Sequence, residues 1–166
     1  MSLLKKTSPD LHLRTPSVLV ATFFGAGWLP RMPGTWGALA ALPFAWLLSV
    51  AGGPWLMLTA AALLFALGLW AADRYMDAVD VHDPGAIVVD EVAAQWLTLA
   101  FVPPDALIYL LGFILFRVFD VLKPFPVSWL DRRVGGSIGV MIDDVVAALY
   151  AMLALWLIVP ATGLGG

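Results

Sequence analysis

The chain has no cysteine, which excludes disulfides, thiolate metal sites and cysteine nucleophiles. Charge is scarce too. Only 13% of the 166 residues are Asp, Glu, Lys or Arg, about half the ~25% usual in soluble domains. The nine Lys and Arg are too few and too scattered for a nucleic-acid footprint, and the formal net charge is −3. The polar, basic start "MSLLKKTSPDLHLRTPS" leads into no short apolar core with a cleavage site, so a removable signal peptide is not expected. No polar linker divides the chain. One domain over 1–166 is expected, with a polar cytoplasmic tail at 1–16.

Apolar residues fill the space that charge leaves. They make up 61% of the chain, and mean hydropathy is +0.91, which places it in the membrane class. About 20 apolar helical residues cross a bilayer core of roughly 30 Å. Five stretches are candidates: 35–52, 54–72, 86–102, 105–122 and 138–160. Gly52-Gly53 and Pro103-Pro104 read as tight turns between them. The run "SVLVATFFGAGWL" (17–29) is too short to span and rich in glycine, so it reads as an interfacial or re-entrant piece. The expected fold is an all-α, multi-pass membrane bundle of about five hydrophobic helices plus that short segment.

Charge gives the bundle a direction. With the first span running outward, the turns at 52–53 and 103–104 and the C-terminal tail contain no Lys or Arg. All nine cations, Lys5, Lys6, Arg14, Arg31, Arg74, Arg117, Lys123, Arg132 and Arg133, fall on the opposite side. The positive-inside rule makes that side the cytoplasm. Eleven of the twelve acids gather there as well, Asp105 being the exception. Asp90-Glu91, Asp120 and Asp143-Asp144 thus read as one cluster assembled from three helix ends.

Ionisable residues inside membrane helices are usually functional. Converging carboxylates repel one another unless a cation compensates, and hard oxygen ligands suit Mg²⁺, Ca²⁺ or Mn²⁺. Arg117, Asp120 and Lys123 follow at i, i+3 and i+6 in "FRVFDVLKPFP". They read either as an intrahelical Arg–Asp pair or as a metal-binding Asp flanked by phosphate-binding cations. The irregular "GAGWLPRMPGTWG" (25–37) contains Arg31, Gly34 and Thr35 and leads into the first span. A turn of this kind at a helix N-terminus can hold an anion. "RRVGGSIG" (132–139) has the same character before the last span. His82, beside Asp83, is either a surface-loop histidine or a general acid or base. With no cysteine, no DxDx[TV] motif and two histidines, phosphate hydrolysis here would have to be metal-assisted, with bound water as the most economical nucleophile and an aspartate as the alternative.

"GWLPRMPGTWG", "HDPGAIVVDE", "FRVFDVLKPFPV" and "GGSIGVMIDD" occur in an order and spacing that resemble the phosphatidylglycerophosphatase A family. The resemblance covers about residues 17–160. It implies Mg²⁺-dependent removal of the terminal phosphate from phosphatidylglycerophosphate at a bacterial inner membrane, with the site facing the cytoplasm. It also implies catalytic roles for His82, Asp83, Asp90, Glu91, Asp143 and Asp144. Metal ligation falls to Asp90, Glu91, Asp120, Asp143 and Asp144, and substrate binding to Arg31, Gly34, Thr35, Arg117 and Lys123. Ala38 and Ala94 depart from the family pattern, which often has Ser and Gly there. The alternatives are a small divalent-cation or proton transporter and a structural membrane subunit. The apolar far halves of the spans argue against conduction. The Trp-rich apolar faces leave membrane lipid or a second copy of the chain, in a homo-oligomer, as neighbours.

Overall fold

The computed structural model describes residues 14–81 and 84–164, and every regular element among them is helical. Helix α1 (Pro16–Ala21) and a 3-10 turn (Ala26–Trp28) come first, followed by α2 (Pro33–Val79) and α3 (Val89–Leu99). Helices α4 (Ala106–Leu122), α5 (Val127–Arg133) and α6 (Gly136–Thr162) complete the chain. Two of them, α2 and α6, are long and apolar enough to cross a membrane.

Helix α2 is two helices joined at one residue. Gly53 has φ 65° and ψ −156°, a conformation that residues with a Cβ rarely adopt, and Pro54 then supplies no N–H to the next turn. Packing shows how far the chain bends. A methyl group on Gly37 would strike Val88, and one on Gly68 would approach the adjacent Val89. On a straight helix these two glycines would stand about 46 Å apart. The limbs 33–52 and 54–79 therefore fold back against one another, with the turn where the glycine pair predicts it.

The third expected span is different. The segment 86–102 forms only the 11 residues of α3, about 17 Å of helix. Nine of those residues are buried, so α3 is the core about which the α2 limbs, α4 and α6 pack. Its flanks are used otherwise. Val88 donates its N–H to Ala21 O, and Ala100 and Val102 form a closing turn onto Leu97 and Leu99. Val92, Trp96 and Leu99 of α3 meet Ala41, Ala45, Met57, Ile108 and Leu155. The Trp96 indole N–H donates to Ala41 O at 3.0 Å. Ala38, Ala94, Ala147, Ala148 and Ala151 gather around Phe116, small residues that let helices approach closely in an apolar setting.

The interfacial piece near the N-terminus packs inward. Val18, Ala21, Thr22 and Phe23 are buried, and α1 lies against α2. Asp105, the acid that stood apart from the others, caps α4: its Oδ1 accepts from Leu107 N at 2.9 Å and Ile108 N at 3.0 Å. The short α5 was not expected. It follows Lys123, which ends α4 in a left-handed conformation, and Pro124. The outside is apolar, with Val50, Trp55, Leu63, Trp156 and Leu157 all more than half exposed. Such a surface suits lipid.

Candidate active site

Three helix N-termini and one C-terminus meet around a cavity of about 570 Å³. The start of α2 supplies Met32, Pro33 and Gly34, and the first turn of α3 supplies Asp90 and Glu91. The end of α4 contributes Arg117, Asp120 and Lys123, and α6 contributes Gly136, Gly139, Val140, Asp143 and Asp144. The positive ends of the α2, α3 and α6 dipoles thus face the carboxylates and offset part of their mutual repulsion.

The five carboxylates fall into two sets. Asp120 and Asp143 are each held by a cation. Arg117 Nη1 lies 2.6 Å from Asp120 Oδ2, and Lys123 Nζ lies 2.9 Å from Asp143 Oδ2. The first is the intrahelical i, i+3 pair, while the second ties α4 to α6. Asp90, Glu91 and Asp144 form the other set, each offering an oxygen within 4.8 Å of the others. Glu91 Oε1 is 3.8 Å from Arg117 Nη1, and Asp90 Oδ1 accepts from Glu91 N at 2.9 Å. Glu91 Oε2 and Asp144 Oδ2 are buried with no hydrogen-bond partner among the described residues. Buried carboxylate oxygens left bare cost free energy. Three oxygen donors this close and this enclosed suit a hard divalent cation.

The remaining sequence candidates divide. Gly34 lines the cavity, and a methyl there would collide with the Glu91 carboxylate and come within 3.1 Å of Arg117 Nη1. Only glycine lets α2 begin so close to Glu91. Thr35 stands beside it with its hydroxyl buried and unpartnered among the described residues, and does not line the cavity. Arg31 is exposed, has φ 74°, and does not line the cavity either. His82 and Asp83 lie outside the described residues. Sequence reasoning did not single out Gly85, Ile87 or Val140 as lining, whereas Val134, Gly136 and Gly139 belong to the stretch 132–139 read as an anion-holding turn.

These features define a class: an all-helical protein with bilayer-length apolar helices and a buried acidic centre able to hold a metal. The sequence profile of the phosphatidylglycerophosphatase A family matches residues 19–159. The chain is 37% identical over 150 residues to phosphatidylglycerophosphatase A of Escherichia coli, covering 89% of this chain and 86% of the relative. Its identity to phosphatidylglycerophosphatase A of Haemophilus influenzae is 39% over 149 residues, covering 89% and 91%. No solved structure matches. The chain belongs to the phosphatidylglycerophosphatase A family.

Proposed function

We propose that this protein is a phosphatidylglycerophosphatase. It hydrolyses the terminal phosphate monoester of phosphatidylglycerophosphate to give phosphatidylglycerol and phosphate. The observation that carries this reading is the trio Asp90, Glu91 and Asp144, buried in a cavity that also contains Arg117 and Lys123. The names of the two relatives support the substrate.

Asp90, Glu91 and Asp144 would hold Mg²⁺, with Asp120 and Asp143 beside them as further ligands in reach of the same cavity. The metal, when bound, polarises the phosphoryl group and lowers the pKa of a bound water. Arg117, Lys123 and the backbone N–H groups at Gly34 and Thr35 orient the phosphate and offset the charge that builds on its oxygens. Arg31, exposed and outside the cavity lining, is the proposed first contact for the arriving headgroup. The water oxygen bonds to phosphorus as the phosphorus–oxygen bond to the glycerol breaks, and the water's proton ends on the departing alkoxide. His82 and Asp83 are the proposed carriers of that proton.

The limbs of α2, α4 and α6 act as the crossing elements of a multi-pass domain over 17–160, with α3 inside. The charged end faces the cytoplasm of a bacterial inner membrane, as the one-sided distribution of cations supports. A transporter reading fits less well, because the described acids and cations apart from Asp105 gather at one end.

The test is phosphate release from phosphatidylglycerophosphate in detergent–lipid micelles, with Mg²⁺ and after chelation. Turnover should stop with excess chelator and return on adding Mg²⁺. Turnover unaffected by chelator would overturn the metal assignment, and no turnover in either state would overturn the phosphatase reading.

A further inference from the structure

The cavity must be reached from somewhere, and three of its lateral sides are closed. Between α4 and α6, the Lys123–Asp143 pair and the packing of Phe116 on Ala147, Ala148 and Ala151 seal the wall. Between the second limb of α2 and α6, fully buried Met141 fills the space against Gly68 and Val89. An apolar groove of about 450 Å³, lined by Ala62, Phe65 and Ile142 among others, lies on the outer side of that contact. Between the two limbs of α2 stands the start of α3, with Gly37 of one limb against Val88 and Gly68 of the other against Val89.

The remaining side lies between the first limb of α2 and α4. These helices line the cavity on both flanks, with Met32, Pro33 and Gly34 on one and Arg117, Asp120 and Lys123 on the other. They approach at the top, where Gly34 meets Arg117. They meet again far below, where the Trp46 and Tyr109 rings lie 5.3 Å apart and Tyr109 OH donates to Ala45 O. Beside that lower contact is a second groove, about 290 Å³, lined by Leu42, Pro43, Trp46, Ala106, Tyr109 and Leu110. Its lining is almost wholly apolar. The groove and the cavity share no lining residue, and fully buried Ala38 stands between them, but helical phase sets them on the same faces. Leu110 and Arg117 are i and i+7 on α4, and Gly34, Ala38 and Leu42 are i, i+4 and i+8 on α2, so each set shares a face. The distance from Leu110 to Arg117 along the helix is about 10 Å.

We infer that the gap between the first limb of α2 and α4 is the lipid portal, and that its apolar groove holds an acyl chain of the substrate. The inference rests on the phosphatase reading of the cavity, and the occupant follows from complementarity. Cations stand at the upper end and an uncharged channel at the lower, on the same helix faces, which matches an anionic amphiphile. The chain slides in from the bilayer while the phosphate rises towards Arg117 and Lys123.

Leu110→Trp and Leu42→Trp fill this groove, and Ala62→Trp fills the outer groove beside α6. Each variant is assayed on long-chain phosphatidylglycerophosphate in vesicles of phosphatidylethanolamine and phosphatidylglycerol, and on a monomeric dihexanoyl analogue. Thermal unfolding confirms that each is folded. Leu110→Trp and Leu42→Trp should lower kcat/KM at least tenfold on the long-chain lipid and less than twofold on the analogue. Ala62→Trp should change neither by more than twofold. Equal losses on both substrates, no loss in either groove variant, or the expected pattern appearing in Ala62→Trp instead would each overturn the portal. If wild-type protein released phosphate from neither substrate, the phosphatase reading would fall. Retention of long-chain phosphatidylglycerophosphate by the same variants in native mass spectrometry would then decide the groove: loss of lipid from the two groove variants alone upholds it, and equal retention overturns it.

Discussion

Two groups of acids lie towards the same end of this molecule, and only one forms an enclosed centre. Asp73, Asp77 and Asp80, near the end of α2, are exposed and border an open depression. Asp90, Glu91 and Asp144 are enclosed, each with an oxygen within 4.8 Å of the others, and Glu91 Oε2 and Asp144 Oδ2 are unpartnered among the described residues. The charge is the same, three carboxylates in each group. In water the first set repels weakly and is screened; in the second, low dielectric multiplies each interaction. Enclosure is what turns a group of carboxylates into a candidate metal centre.

The largest effect should come from exchanging carboxylate for amide in each group. Asp90→Asn or Asp144→Asn should cut kcat/KM for phosphatidylglycerophosphate by at least about 10²-fold. Asp73→Asn and Asp77→Asn should leave it within twofold. Wild-type turnover in the first pair would erase the contrast. A middle effect should follow from Gly34→Ala, whose new methyl must displace the Glu91 carboxylate. Turnover is expected to fall about tenfold, and the Mg²⁺ concentration for half-activity to rise, with little change in unfolding temperature. The smallest effect belongs to the acid at the far end. Asp105→Ala removes the α4 cap and should cost about 1 kcal/mol of stability, read by denaturant titration in detergent, with kinetics unchanged.

Much of this arrangement was legible in the sequence. The glycine pair at 52–53 marked the fold-back of α2. Three of the motifs, HDPGAIVVDE, FRVFDVLKPFPV and GGSIGVMIDD, contain the carboxylates that line the cavity. What hid was burial. The stretch 86–102 is apolar because α3 is the core, and hydropathy alone does not separate a core helix from a lipid-facing one. The tie from Lys123 to Asp143 was also invisible, since its partners are 20 residues apart and on different helices. Arg31 looked equivalent to Gly34 from three residues away. Arg31 is exposed, has φ 74°, and lies outside the cavity lining.

The bend at Gly53 also bears on how such a chain enters a bilayer. Because the limbs of α2 run in opposite directions, Pro33 and Val79 finish at the same end, and in the proposed orientation the part that travels furthest is the loop around Gly52, Gly53 and Pro54. That loop has no charged side chain to strip of water. A paired hairpin with a neutral tip can be inserted as a unit, without any polar segment being drawn through the hydrocarbon.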